Sequence, residues 1–440
     1  MTLENAANKT SISKDVLLSA CLGGLFDGFD ASIFGIVLFP AVSELIQSRS
    51  HEAVGPVGAV ILAVFMIGWA LGAILFGFLS DRIGRVRTMS LTILLYAVSA
   101  GLCATSQSWQ ELACYRFLVG LGIGGEQGAG AILLSEWFHG RDRRWGIALM
   151  TLSISAGYLL TSVVNYCLGN AGWRYVCLSG LAPAFLALYV RLKLTEPEGG
   201  ISSSAQARTA SKSQLAPLRS VLSGHGRKTL VILCLAIAAI VNWWAVLSWV
   251  PAWTNQLTGD LAVVPRSVVT FAMYFGAMIG SIVGVPVLQR MGRRRAFALA
   301  FIGALAVDTT MFLCTKSYGT PLLILTFIVG LLAVLPFLWL FISVPELYPK
   351  RIRGTAFGIS IQTGRTIAAV AAIAGGQMIS ACHGSYAIAG SCIATINVLG
   401  FVGSFFIPRE ENYLSAAERL EQSLVPRLDK TASAVGVSSG

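Results

Sequence analysis

The chemistry open to this chain rests on a few ionisable residues set inside long apolar runs. An ionisable group at a bilayer centre costs about 2.5–3.5 kcal/mol on insertion scales, so each one calls for a role. Asp27 and Asp30 are three residues apart and share one face of a helix. Two carboxylates this close in a low dielectric resist double ionisation, so one can hold a proton near working pH, as a proton carrier must. The other readings are a hydrogen-bonded brace between helices and direct contact with a bound solute. Glu126 is a second protonatable candidate, or the partner of an arginine on another helix. Arg116 precedes it by ten residues, about 15 Å of helix, so these two are not partners. Arg116 is expected instead to tie its helix to the first one through Asp27 or Asp30. Arg365 lies too deep in its apolar run to snorkel, and its planar fork fits a carboxylate bidentately. No acid is evident at matching depth in the second half of the sequence. A bound anion is therefore one expected partner for Arg365, and Asp27, Asp30 or Glu126 is the other.

Tyr158, Asn165, Asn242, Trp243, Trp244, Tyr274, Gln362 and Gln377 are polar or aromatic residues within apolar runs that could line a cavity for an organic ring. Packing and interfacial anchoring are the competing roles for the aromatics. Asn242 and Gln362 stand out because buried amides demand partners. No metal-ligand cluster, nucleophile motif or phosphate-binding loop is present, so neither an enzyme, a cofactor nor a metal is expected.

The elements that must position these groups follow from composition. The 440 residues are 55% hydrophobic and 12% charged, against roughly 25% charged in soluble domains. The net charge of +11 sits in short clusters between apolar runs, where membrane topology rather than nucleic-acid binding places it. Nine cysteines without paired or zinc-type spacing read as small hydrophobes. In lipid a helix must satisfy its own backbone, and about 20 residues cross the hydrocarbon. Twelve runs fit, near 16–40, 56–80, 88–106, 111–134, 146–168 and 173–194, then 229–254, 265–288, 296–314, 320–344, 355–380 and 385–407. This divides the chain into a tail (1–15), a six-helix bundle (16–194), a Ser-, Gly- and Ala-rich basic linker (195–228), a second bundle (229–407) and a polar tail (408–440). Lysine and arginine crowd the loops after helices 2, 4, 8 and 10 and the linker, so tails and linker are expected in the cytoplasm.

Two loop motifs recur. Glu136-Trp-Phe-His-Gly-Arg141-Asp-Arg143 is mirrored by Glu346-Leu-Tyr-Pro-Lys-Arg351-Ile-Arg353, and Asp81-Arg82-Ile-Gly84-Arg85 by Gln289-Arg290-Met-Gly292-Arg293, at offsets of 210 and 208 residues. Two matches at corresponding helix ends point to duplicated halves. Asp81, Arg82, Arg85, Glu136, Arg141, Glu346 and Arg351 fall at the cytoplasmic rim, where charge pairs can latch the halves. Gln289 in place of an acid implies a weaker latch in the second copy. Gly120, Gly124 and Gly128 recur every four residues and leave a groove for another helix.

Gly77-Phe-Leu-Ser-Asp81-Arg82-Ile-Gly84-Arg85 resembles the loop 2–3 signature of the major facilitator superfamily. Arg116-Phe-Leu-Val-Gly120 and Pro345-Glu346-Leu-Tyr348-Pro are also similar to that superfamily. Asp27-Gly28-Phe-Asp30 resembles the first-helix motif of the aromatic acid and sialate-type proton symporters, and Gly364-Arg365 the embedded pair of the aromatic acid symporters. Gly124-Gly125-Glu126 is closer to the metabolite symporter group. The resemblance implies an all-α fold of two pseudo-symmetric six-helix bundles in the inner membrane. It also implies alternating access by a monomer that moves a small organic anion with protons. A proton-driven drug or metabolite exporter is the rival; exporters carry a Gly-Pro motif in helix 5, and 147–168 has no proline. A non-transporting membrane sensor on the same fold is the remaining alternative.

Overall fold

The computed structural model describes residues 3–137, 140–185, 226–258, 262–348 and 353–408. Helices α1 (Leu3–Leu45), α2 (His51–Ile83), α3 (Arg85–Cys103), α4 (Trp109–Trp137), α5 (Gly140–Leu168) and α6 (Trp173–Leu178, continued by a 3₁₀ turn, Ser179–Leu181) make the first half. The second contains α7 (Gly226–Thr258), α8 (Val263–Met291), α9 (Arg293–Cys314), α10 (Thr320–Leu347), α11 (Arg353–Ala381) and a last span broken into α12 (Tyr386–Ala394) and α13 (Ile396–Ser404). Nine spans among the described residues are long and apolar enough to cross a membrane, and large apolar side chains such as Leu71, Leu75, Leu94 and Val370 stand exposed on their outer faces, where lipid replaces water. This is a multi-pass membrane protein. The helix that carries Asp27 begins at Leu3, so the segment expected as a polar tail continues helical structure and does not form a loop.

The two halves repeat one packing scheme. In the first, α2 packs on α4, α1 on α5 and α3 on α4; in the second, α8 packs on α10, α7 on α11 and α9 on α10. Across the halves α5 meets α8 and α2 meets α11, two seams related by the same pseudo-symmetry.

Glycine sets the closest approaches. A Cβ at Gly120 or Gly124 of α4 would collide with the backbone carbonyl of Phe65 or Trp69 on α2, and one at Gly68 or Gly72 of α2 with those of Phe117 or Leu121 on α4. The groove expected from the glycine spacing is thus filled by α2. At Gly276 and Gly330 of the α8–α10 pair a Cβ would strike the Phe327 and Met273 carbonyls, at offsets of about 208–210 from Gly68 and Gly120. The turns between α2 and α3 and between α8 and α9 hinge on Gly84 (φ 97°) and Gly292 (φ 71°), whose amides donate 3.1 Å bonds to Ser80 and Leu288. Positive φ explains why both copies of the loop motif keep this glycine.

Candidate functional site

Three carboxylates lie buried between α1 and its neighbours. Asp27 (3% exposed), Asp30 and Glu126 (3% exposed) are all enclosed by protein. The two aspartates, although three apart on α1, point into different interfaces. Asp30 faces the 3₁₀ turn, where a Cβ at Gly180 would lie 2.7 Å from its Oδ1, and it feels the charge of Arg116. Asp27 interacts more strongly with Glu126 than with Asp30, and the Glu126 carboxyl also faces the buried Tyr96 hydroxyl of α3. Asp27 Oδ1, both Glu126 oxygens and the Tyr96 hydroxyl make no well-aligned hydrogen bond. The close acid pair is therefore Asp27–Glu126. A Cβ at Gly23 would collide with Glu126 Oε1, so a glycine one turn before Asp27 makes room for the second acid.

Arg116 reaches α1 as expected, but through its backbone. Nη1 donates to the Asp30 carbonyl at 3.2 Å and Nη2 to the Ala31 carbonyl at 3.4 Å, while the guanidinium sits over the Phe34 and Phe65 rings. The expected carboxylate partner is replaced by carbonyl lone pairs, with the Asp30 charge acting alongside.

Arg365 of α11 is 2% exposed. Its Nη1 donates to Gln362 Oε1 at 3.0 Å, and its guanidinium lies 4.2 Å above the Trp69 ring of α2. Arg365 and Asp27 act on one another electrostatically, and so do Arg365 and Tyr158. Trp69 meets Phe65 and Trp244 edge-on at 5.5 and 5.7 Å. Tyr158 of α5 packs 5.4 Å from both Trp243 of α7 and Tyr274 of α8. Arginine, acid pair and aromatic walls thus come together from both halves, the polar groups supplied by α1, α4 and α11 and the rings by α2, α5, α7 and α8. A cation, a buried carboxyl pair and flat apolar walls suit a small anion with an unsaturated or ring-shaped body.

Other expected residues are placed elsewhere. The Asn242 amide oxygen accepts from Asn397 at 3.1 Å, and Asn397 also donates to Asp308 Oδ2 at 3.4 Å. Asp308 of α9 is fully buried. No acid is evident from sequence at the depth of Arg365 in the second half, yet α9 buries Asp308, a polar residue that the sequence reading did not single out. Gln377 is exposed, and Asn165 serves the α5–α8 seam by donating to Ser267 at 2.7 Å. Of the rim residues, Glu346 forms an ion pair with Arg293 of α9 and Arg82 is exposed. This pair joins α9 to α10 within the second half. Arg351 and the side chains of Asp81, Arg85, Glu136 and Arg141 lie outside the described residues. Trp69, Tyr96 and Gly23 were missed by sequence reasoning. An apolar or aromatic residue in a span has no signal until its neighbour is known, although the Gly23-Gly24 pair before Asp27 was visible.

A helical chain with duplicated halves, nine apolar spans among its described residues and a polar centre between the halves defines the class of polytopic solute carriers. Residues 20–265 match the family model described as Major Facilitator Superfamily, and residues 250–420 match Sugar (and other) transporter. The chain belongs to the major facilitator superfamily and is a transporter. It is 31% identical over 358 residues to a "probable 4-methylmuconolactone transporter" of Cupriavidus pinatubonensis, covering 80% of each chain. It is 25% identical to the gentisate transporter of Corynebacterium glutamicum, covering 81% of this chain and 79% of that one. The crystal structure of a D-xylose-proton symporter superposes with a TM-score of 0.70 at 21% identity, over 89% of this chain and 96% of the other. At that identity the likeness concerns the fold.

Proposed function

We propose that this chain is a proton-coupled symporter of a small organic carboxylate, such as an aromatic acid, a sugar acid or a hydroxy acid. In this reading it works as a monomer in the inner membrane, with both termini cytoplasmic. The observation that carries the reading is Arg365 of one half buried within electrostatic reach of Asp27 of the other, where Asp27 shares its surroundings with Glu126. Asp27 and the substrate carboxylate are alternative anions for the same guanidinium. A proton taken up by the Asp27–Glu126 pair neutralises the resident anion and turns the Arg365 fork toward the substrate, so proton and substrate bind together. Trp69, Tyr158, Trp243 and Tyr274 flank the body of the substrate, and Gln362 positions the guanidinium. The relatives support the cargo class, gentisate being an aromatic carboxylate.

In this reading the protein works by alternating access, which the two seams between the halves support. The α5–α8 seam is laced by Ser155–Ser281 (3.4 Å), Ser162–Thr270 (3.0 Å) and Asn165–Ser267 (2.7 Å), neutral bonds that can exchange for water at small net cost. Rocking of the halves about the central site opens these contacts, and the rim residues Asp81, Arg82, Arg85, Glu136, Arg141, Glu346 and Arg351 latch the cytoplasmic side.

The test is reconstitution into liposomes enclosing a pH dye, with aromatic, sugar-derived, hydroxy and dicarboxylic acids added under an imposed potential. One class of acid is expected to acidify the lumen, and Arg365→Ala to abolish the signal. Proton movement with lipophilic cations but with no acid would replace symport by export.

A further inference from the structure

We propose that the end of the bundle opposite the chain termini holds a second anion site, centred on Arg266, that receives the carboxylate before it reaches Arg365. The inference rests on the symport reading for the identity of the anion, but its geometry is separate. A cavity of about 300 Å³ opens there between the end of α1, the α5–α6 turn and the first turn of α8, with Glu44, Arg49, Trp173 and Arg266 in its lining. Arg266 is 2% exposed. Its Nη1 and Nη2 reach only amide oxygens, Asn255 Oδ1 and Asn165 Oδ1, each at 3.4 Å. Its Nε, and the Nδ2 of Asn255 beside it, are buried with no acceptor among the described residues.

Nor does any carboxylate among the described residues pair with Arg266. Glu44, the acid in the cavity wall, is already engaged: it pairs with Arg174 and accepts from Trp173 Nε1 at 2.8 Å. Arg49 and Arg266 thus line the cavity beside a carboxylate whose charge Arg174 already answers. A buried guanidinium held only by long bonds to neutral amides lacks a counter-ion, and a fold gains nothing by enclosing it unless an anion arrives. The fork presents donors in the geometry a carboxylate takes, and Trp173, with Arg174 over its ring, forms part of the cavity wall.

The position suits an entry station. Arg266 is the fourth residue of α8, and Tyr274 follows eight residues later, about 12 Å along the helix. Tyr274 packs on Tyr158, which interacts with Arg365. An acid released from Arg266 travels about 12 Å along α8 to reach the Tyr274–Tyr158 pair beside Arg365. Asn165 ties the outer site to the α5–α8 seam, because its amide accepts from Arg266 and donates to Ser267. An anion that takes over Arg266 loosens that amide and the seam with it.

Benzoate binding to the full-length protein in nanodiscs, followed by calorimetry with neutral benzamide as control, tests the proposal. The Arg365→Gln background removes the central site. Saturable benzoate binding is expected to persist there and to weaken about tenfold or more when Arg266→Gln is added, the weight of one charge-assisted hydrogen bond. Benzamide is expected not to bind. In the otherwise native chain, Arg266→Gln raises the KM of benzoate uptake by a similar factor and leaves the maximal rate in place. The melting temperature of unliganded Arg266→Gln stays level or rises, since a charge without counter-ion has gone; a structural tie would lower it. If Arg266→Gln does not fold, Arg266→Lys keeps the charge without the fork and is expected to bind severalfold more weakly. Affinity and KM within twofold of the parent in both variants, or no benzoate binding in the Arg365→Gln background, overturns the site. Arg266-dependent binding in a protein that moves no acid would leave the outer site standing and remove the symport reading.

Discussion

Arg365→Gln puts the central claim at risk, and the structure sets the size of the effect. If the guanidinium holds the substrate carboxylate with two charge-assisted bonds at about 1.5–3 kcal/mol each, their loss costs about 3–6 kcal/mol, two to four orders of magnitude in affinity. Arg365→Lys keeps the charge but not the fork, and about one to two orders of magnitude are expected. The guanidinium lies 4.2 Å over the Trp69 ring of the opposite half, a contact able to orient that fork. A desolvated cation–π contact is worth about 2 kcal/mol, so Trp69→Leu is expected to raise the KM by about tenfold, short of the roughly 30-fold ceiling. If Trp69 acts by orienting the fork, its effect disappears once the fork is gone. Trp69→Leu with Arg365→Lys should then fall within about threefold of Arg365→Lys alone. Initial uptake rates of labelled acid across a concentration series, with equal amounts of reconstituted protein, measure all four forms. A KM for Arg365→Gln within twofold of the native value refutes the clamp. Fully additive effects of Trp69→Leu and Arg365→Lys would leave the clamp and refute the orienting role.

Asp27→Asn and Glu126→Gln are each expected to abolish accumulation driven by a pH gradient while leaving exchange of labelled for unlabelled acid. Where protonation limits native uptake, it falls by up to tenfold per unit rise in external pH, and uptake by the variants is flat; accumulation that survives in both variants would dismiss the pair as proton carrier. Gly23→Ala displaces the Glu126 carboxyl without altering charge and should weaken the pH dependence while folding normally, as melting curves would check. Gly124→Leu drives a side chain into the Trp69 carbonyl, with overpacking costs of about 1–3 kcal/mol or more; a lowered melting temperature in detergent is expected, and an unchanged one would deny the close α2–α4 approach. Asp308→Leu leaves the Asn242 and Asn397 amides without their acid and should destabilise by about 1–3 kcal/mol, whereas Asp308→Asn should melt within a few degrees of the native protein.

The sequence by itself determined the spans, because a chain in lipid must close its backbone hydrogen bonds within each apolar run, and run length then counts helices. It also determined the kinship of the halves, since the turn glycines Gly84 and Gly292 and their flanking arginines occur in both copies. It singled out Asp27, Asp30, Arg116, Glu126 and Arg365, because a charge amid apolar residues stands out without knowledge of its neighbours. Only the tertiary structure decided which of these meet. Residues three apart on a helix differ by about 60° in direction, enough to send Asp30 toward the 3₁₀ turn and Asp27 toward Glu126. Trp69 and Tyr96 acquire meaning only through Arg365 and Glu126, which reach them from other helices. Arg266 and Asp308 read as ordinary residues near helix ends, since depth along a chain does not reveal depth within a bundle. Burial and partnership are properties of the space between helices, and no single helix encodes that space.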